Sequence, residues 1–221
     1  MKIVGEASGS MCGRFALGAD PELVALVFYA KLVALPVRPS WNIAPTDPAN
    51  IVYDDGGGRV IGPMRWGFDL SGSRKAFNAR LETILDKWRF KRSAQWHRCL
   101  VPATGWYEWT KSEDGGRDPH FLTSPESDLI ALGGLWEKDA DDARFTIITR
   151  PALDGLQHLH DRMPLVLPSD KWDIWLNPDG SEVAGDESVK VATNRINFSY
   201  HRVSREVNNS LSEGPELVDS I

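Results

Sequence analysis

The sequence predicts an α+β chain in which strands outnumber helices, and three observations carry that prediction. Short β-rich runs recur through the middle of the chain, at 99–101, 106–109, 120–123, 129–135 and 145–149. Helical signals are few and do not alternate regularly with those strands, which argues against a parallel βαβ arrangement. The 221 residues, 42% hydrophobic and 25% charged, suffice for one domain whose core needs no staples.

In chain order, Asp20-Pro21-Glu22 comes first: an N-cap, a proline at the first helical position and an early acid. A helix is expected from there to about residue 32, with Pro36 and Pro39 as stops. Ile51-Val52-Tyr53 and Val60-Ile61 flank Asp54-Asp55-Gly56-Gly57-Gly58, the pattern of a β-hairpin. Further helices are expected over 86–95 and 169–176, the latter opened by Ser169 and ended by Asn177-Pro178. Gly115-Gly116 and the acidic stretch 139–142 read as surface loops, and Leu165-Val166-Leu167 as an apolar strand. No repeat and no interdomain linker is visible.

Composition excludes several classes. No apolar run approaches the ~18 residues of a membrane span, so no membrane partner is expected. The first ten residues hold one lysine and no apolar stretch, unlike a secretory signal. Two cysteines, Cys12 and Cys99, exclude a disulfide framework and suggest a reducing compartment. The formal charge of −6 argues weakly against a surface devoted to nucleic acid. Yet between Arg59 and Arg98 ten Lys and Arg face three acids, a local +7, while the remainder carries −13. Such asymmetry hints at an anionic partner, with a solvated cationic face as the plain alternative.

Five constellations bear chemistry. Cys12 lies in Met11-Cys12-Gly13-Arg14-Phe15. If it were the first residue, its α-amine and thiol would be two nucleophiles on one residue, able to close a ring on an aldehyde. The amine, with a pKa near ~7.8, is partly unprotonated at neutral pH, whereas the thiol near ~8.5 is a few per cent thiolate. Spacing alone leaves this level with a packed internal cysteine. Cys99 lies among apolar neighbours in a strand-like run and reads as a buried thiol. His158 and His160, on one face if the segment is a strand, lack a third ligand at diagnostic spacing, so metal is disfavoured and an acid–base role preferred. In Trp106-Tyr107-Glu108-Trp109, alternation places Trp106 and Glu108 on one face and Tyr107 and Trp109 on the other. An indole neighbour would desolvate the carboxyl and raise its pKa. Finally, Asn78 and Arg80 sit in the basic segment, with Trp41, Trp66, Phe68 and Phe77 nearby in sequence. Cations and stacking rings suit a single-strand groove, although most tryptophans belong in cores.

The ordered blocks Met11-Cys12-Gly13-Arg14-Phe15, Trp41-Asn42-Ile43-Ala44-Pro45-Thr46, Arg65-Trp66-Gly67, Asn78-Ala79-Arg80-Leu81-Glu82-Thr83, Arg98-Cys99-Leu100-Val101-Pro102-Ala103, Gly105-Trp106-Tyr107-Glu108-Trp109, Gly134-Leu135-Trp136-Glu137, Phe145-Thr146-Ile147-Ile148-Thr149 and His160-Asp161-Arg162-Met163-Pro164 resemble the SOS-response-associated peptidase (SRAP) family. The resemblance runs from Met11 to about Asn209. It implies one domain over 11–221 with a curved, barrel-like antiparallel β core flanked by helices, preceded by an extension of residues 1–10. It also implies a monomer, cytoplasmic and nucleoid-associated, that needs no metal or cofactor. Its partner would be single-stranded DNA containing abasic sites, to which it crosslinks covalently through a thiazolidine.

Carried over by position, Cys12 is the nucleophile, Glu108 the proton shuttle, His160 the assistant in ring opening and reversal, and Asn78 the residue that positions the cysteine. Arg80 and Arg162 match phosphate-binding arginines, and Arg14, Trp41, Asn42 and Trp66 are expected to complete the DNA surface. Two departures stand out. Ten residues precede Met11, and while they remain Cys12 has an amide instead of an amine. Either the start is misassigned or the segment is removed, as by the autoproteolysis attributed to the family. The tract 88–97 also departs from the usual wording, and Trp106 stands where phenylalanine is more common. Two other readings compete: a thiol peptidase or amidohydrolase built on Cys12, His160 and Asn78, and a noncovalent single-strand binding module.

Overall fold

The structure, a computed structural model, describes residues 12–139, 142–177, 179–180 and 183–221. The extension of residues 1–10 and Met11 lie outside the described residues. In chain order come β1 (Phe15–Leu17), α1 (Pro21–Val27), β2 (Lys31–Leu32), β3 (Ser40–Ile43), β4 (Pro48–Asp54), β5 (Arg59–Trp66), β6 (Phe68–Asp69), β7 (Lys75–Ala76) and β8 (Asn78–Arg80). Next are α2 (Trp88–Trp96), β9 (Arg98–Ala103), β10 (Gly105–Lys111), β11 (Arg117–Thr123), β12 (Ile130–Asp139), β13 (Asp142–Pro151) and β14 (Arg162–Pro164). The C-terminal part holds α3 (Trp172–Leu176), α4 (Glu187–Lys190), β15 (Ser199–Arg202) and short 3-10 turns.

Five strands close on themselves. β13, β12, β9, β4 and β5 pair antiparallel in that order, and β5 returns to β13 through Arg65↔Arg144 and Trp66↔Phe145. The expected barrel-like core is therefore a closed ring of five strands, antiparallel at every pairing but the parallel seam. Closure removes sheet edges that would otherwise stand unpaired. At the seam, Gly67 donates its N–H to Phe145 O at 2.7 Å. The positive φ of Gly67 (115°) and the Phe77 ring, 2.7 Å from where a β-carbon would lie, both require glycine there. Around it Trp66 stacks on Phe145 and meets Phe15 and Phe77 edge-on.

The second sheet, ordered β15-β11-β10-β1-β3, lies against the ring with one face inward. Phe15, Trp106 and Leu122 join the main core, whereas Ala16, Tyr107 and Phe121 pack on Val203, Val207 and Leu217 of the C-terminal segment. Strand alternation sorts the side chains in this way. Gly105 lets β10 enter the sheet, since a β-carbon there would lie 2.4 Å from Leu122 O and from the Phe121 ring.

Several local expectations hold, and others are corrected. The β4–β5 hairpin forms as predicted, its tip held by Asp54 and Asp55 carboxylates that accept the N–H groups of Gly56 and Gly57 at 2.7 and 2.9 Å. The first helix stops at Val27, not near residue 32: Tyr29 turns left-handed (φ 50°), and Lys31–Leu32 leaves to pair with β5. The unpaired rim of β5 offers those residues hydrogen bonds that outcompete another helical turn. The second helix begins at Trp88, and the third opens with a 3-10 turn, Ser169–Lys171, whose cap is Pro168 instead of Ser169. Residues 165–167 form one isolated bridge, Leu132↔Val166, with backbone bonds to Ala131, Gly133 and Ile148, and the strand proper lies earlier, at Arg162–Pro164. His158 is in a turn, so it and His160 do not share a strand face. Cys99 is buried in β9 beneath Gly134, as expected of a core thiol. No helix among the described residues is long and apolar enough to cross a membrane.

Candidate active site

Glu108 projects from β10 toward the ring and is 3% exposed. Burial pushes its carboxyl up to about 8, against the opposing pull of a hydrogen bond from the backbone N–H of Cys12 and the charge of Arg117. Asp161, beside His160, pushes the same way as burial. The Glu108 Oε1 atom is buried without a hydrogen-bond partner. Cys12 itself is fully buried, with a left-handed backbone (φ 39°) uncommon for a residue with a β-carbon. Burial first, and the neighbouring Glu108 second, raise its thiol well above the ordinary range. At neutral pH both groups keep their protons, and the cysteine nitrogen rests on the carboxyl.

A second cluster forms around β13. β8 runs parallel to it, with Asn78 opposite Ile147 and Arg80 opposite Thr149, and β14 pairs on its other side. Arg162 donates to Thr149 O at 2.7 Å and clasps Glu82 with two bonds of 2.9 and 3.0 Å. Burial alone would raise the Glu82 carboxyl, but its bonds to Arg162 and its own backbone and the charges of Arg162 and Arg80 hold it below the ordinary value. The Arg80 side chain is exposed. His160 Nδ1 accepts the N–H of Arg162 at 3.0 Å and lies 2.9 Å from Asp161 Oδ1. The first contact requires a bare nitrogen and the second a protonated one, so the Nδ1 proton is contested. Asp161 is thus in contact with His160 and acts on Glu108 only through its charge, while Arg162 and Arg80 both bear on Glu82, Arg162 by direct bonds and Arg80 by its charge.

The remaining expected DNA contacts fall elsewhere. Trp66 is fully buried and donates Nε1–H to Phe77 O at 2.8 Å, so its ring cannot stack on a base. Arg14, Trp41 and Asn42 belong to the opposite face of the second sheet. Arg14 bonds Asn42 Oδ1 at 2.5 Å and Val207 O at 2.8 Å, and its guanidinium lies 5.9 Å from the centre of the Trp109 ring. Asn42 is buried and donates to Asn209 O and Ser212 O, while Trp41 O accepts the Tyr107 hydroxyl. These three tie the N-terminal strands to the C-terminal segment. The basic segment also divides. Arg98 is buried, its guanidinium lowered to about 10 by burial, and it donates to the carbonyls of Ala94, Gln95, Trp175 and Asn177. Arg89 forks onto Glu137 at 2.8 and 2.5 Å, and Arg59 pairs with Asp173. Arg65, Arg80, Lys87, Lys91 and Arg92 remain exposed.

Sequence reasoning missed Glu82, Thr149 and Arg117 as neighbours of the site, and His120, directly opposite Glu108 on β11. The two-residue register of strands could have flagged His120 once the β10–β11 hairpin was drawn. Among the described residues no group of three or more His, Cys, Asp or Glu side chains could hold a metal ion.

A closed five-stranded barrel with a flanking sheet that buries a carboxyl beside a cysteine defines a small α+β protein. The chain belongs to the SOS response associated peptidase (SRAP) family, whose model matches residues 11–210. It is 30% identical over 223 residues to the abasic site processing protein YoqW of Bacillus subtilis, covering 95% of this chain and all of that one. It is 31% identical over 226 residues to the abasic site processing protein YedK of Escherichia coli, covering 96% and 100%. In fold it is similar to a solved protein from Bacteroides thetaiotaomicron, with a TM-score of 0.79 at 18% identity over 95% of this chain and all of that one.

Proposed function

We propose that this protein processes abasic sites in single-stranded DNA by crosslinking to them through Cys12. The observation that carries the reading is the burial of the Glu108 carboxyl beside the buried Cys12, whose backbone N–H opposes the rise of the carboxyl pKa. That nitrogen is the atom an aldehyde would meet, and a carboxyl protonated up to about pH 8 is a ready proton donor beside it. The names of the relatives, abasic site processing proteins, support the same substrate.

The chemistry balances without a redox step. Residues 1–11 are first removed, by hydrolysis of the bond before Cys12, which frees an α-amine. The amine adds to the ring-opened aldehyde of the abasic sugar. Glu108 protonates the departing hydroxyl, water leaves, and an imine forms. The Cys12 thiol then adds across the C=N bond, closing a thiazolidine, and its proton ends on the ring nitrogen or returns to Glu108. The hydrolysis consumes one water and the condensation releases one. His160 assists sugar opening and crosslink reversal, Asn78 positions Cys12, and Arg80 and Arg162 hold flanking phosphates.

A denaturing gel of the protein with single-stranded DNA carrying one abasic site tests this reading. A covalent band lost in Cys12→Ala and retained in Cys99→Ala supports it; the reverse pattern overturns the assignment. N-terminal sequencing of crosslink-competent protein should begin at Cys12, and retention of Met1 on such protein would refute the amine route. Salt-sensitive binding with no covalent band would favour the binding module, and Cys12-dependent cleavage of unrelated peptides the peptidase.

A further inference from the structure

Glu108 faces a problem of supply. A carboxyl 3% exposed has no direct route to solvent, yet each proton it gives to the reacting atoms must be replaced. Its cross-strand neighbour is His120, which register places directly opposite, on the same face of the sheet. Directly opposed residues have β-carbons about 5 Å apart, within reach of a glutamate and an imidazole. Both carry a buried, unpartnered polar atom, Oε1 of Glu108 and Nδ1 of His120. A buried polar atom left unpaired costs on the order of 1–3 kcal/mol, so two on adjacent side chains call for an explanation.

From His120 a graded path leads outward. The Tyr200 ring lies 6.1 Å from the His120 ring and is 42% exposed. The His158 ring lies 5.3 Å from that of Tyr200 and its residue is exposed. Burial thus falls step by step from Glu108 to His158.

We propose that His120 is a positioning residue that relays protons to Glu108, with Tyr200 and His158 connecting it to solvent. The inference rests on Glu108 being the proton donor of the reaction. One proton enters the imidazole at its outer nitrogen and one leaves Nδ1 for Glu108 Oε1, directly or through one water. His120 thus keeps its charge but ends with its proton on the outer nitrogen, and a ring flip or tautomer exchange resets it for the next transfer. The groups facing His120 are Glu108 from β10, Arg202 and Tyr200 from β15, Asp118 from its own strand and His158 from the turn before His160. Burial foremost, with Arg202 and His158, lowers its basicity against the opposing pull of Asp118. The ring is therefore neutral at neutral pH and free to accept and pass on a proton.

The test compares wild type whose chain begins at Cys12 with its His120→Gln and His120→Phe variants in two measurements. In single-turnover crosslinking from pH 6 to 9, both variants should bind DNA as wild type does. They should react slower by on the order of tenfold in dilute buffer, below the range of a directly acting acid or base, and recover with added imidazole. By 13C NMR, exchange of the Glu108 carboxyl between its protonated and ionised forms should slow in both variants, with no DNA present. Unchanged carboxyl exchange overturns the relay, as does slow crosslinking that added imidazole leaves slow. If wild type forms no crosslink while carboxyl exchange still depends on His120, the relay stands and the proposed function fails.

Discussion

The two faces of the second sheet are made by the same strands and serve opposite ends. On the outer face most polar groups find a partner, with Arg14 Nε the exception: the Tyr107 hydroxyl on Trp41 O, the Trp109 indole on Asn208, Asn42 on Arg14, Asn209 and Ser212. On the inner face, one residue along each strand, Trp106 Nε1, Glu108 Oε1 and His120 Nδ1 are buried and unpartnered. Unmet hydrogen bonds cost stability, and buried networks left partly satisfied mark places where chemistry outweighs packing. The difference teaches that the outer face secures the fold, while the inner face carries the unpartnered groups on which the proposed chemistry rests.

Substitution at Glu108 should break the comparison most sharply. Glu108→Gln removes the proton donor, and crosslink formation should fall by on the order of 10²–10⁴-fold in a quenched time course. The same change should stabilise the protein. With a folded pKa of about 8 against an ordinary 4.5, the native state holds a proton that the unfolded chain gives up, so stability is fullest below pH 4.5 and declines until about pH 8. Glutamine escapes that loss, worth up to about 3 kcal/mol at pH 7 at 1.36 kcal/mol per pK unit. Urea melts at pH 4 and pH 7 should show the gap opening only at the higher pH.

On the outer face the signs reverse. Asn42→Ala orphans an arginine bond and two carbonyls and should cost about 2–3 kcal/mol of stability by urea denaturation, while leaving the crosslinking rate of folded protein unchanged. Arg80→Ala should reduce the slope of log affinity against log salt for single-stranded DNA by about 0.7, one phosphate contact, with no change in melting temperature. Tyr107→Phe is the mildest test: loss of its bond to Trp41 O should cost about 1 kcal/mol and nothing in rate.

What the sequence revealed and what it hid follow the same division. Alternation along 106–109 is a local signal, so the split between Trp106 with Glu108 and Tyr107 with Trp109 was legible without coordinates. The partners of the outer face were not, because Arg14 meets Val207 across 193 positions. Arg14, Trp41 and Asn42 therefore looked available to DNA, when the C-terminal segment occupies them. Trp66 shows the same limit: a ring near basic residues in sequence is enclosed by Phe15, Phe77 and Phe145 in space. Charge counting made the segment from Arg59 to Arg98 uniformly cationic, but a count cannot distinguish buried Arg98, held by carbonyls, from exposed Arg80. His120 escaped notice because a lone histidine in a β-rich run carries no spacing signature until its strand is paired.

The parallel seam between β5 and β13 has a consequence for the chain as it is made. β5 is finished at Trp66, but the strand that closes it begins at Asp142. At a synthesis rate of roughly 5–20 residues per second, some seconds to a quarter of a minute pass between them. Throughout that interval the rim bearing Trp66 stands open as an adhesive template, and neighbouring nascent chains can pair there before β13 does. High expression rates should therefore favour inclusion bodies, and slower translation of the codons between Trp66 and Asp142 would lengthen the exposure instead of relieving it.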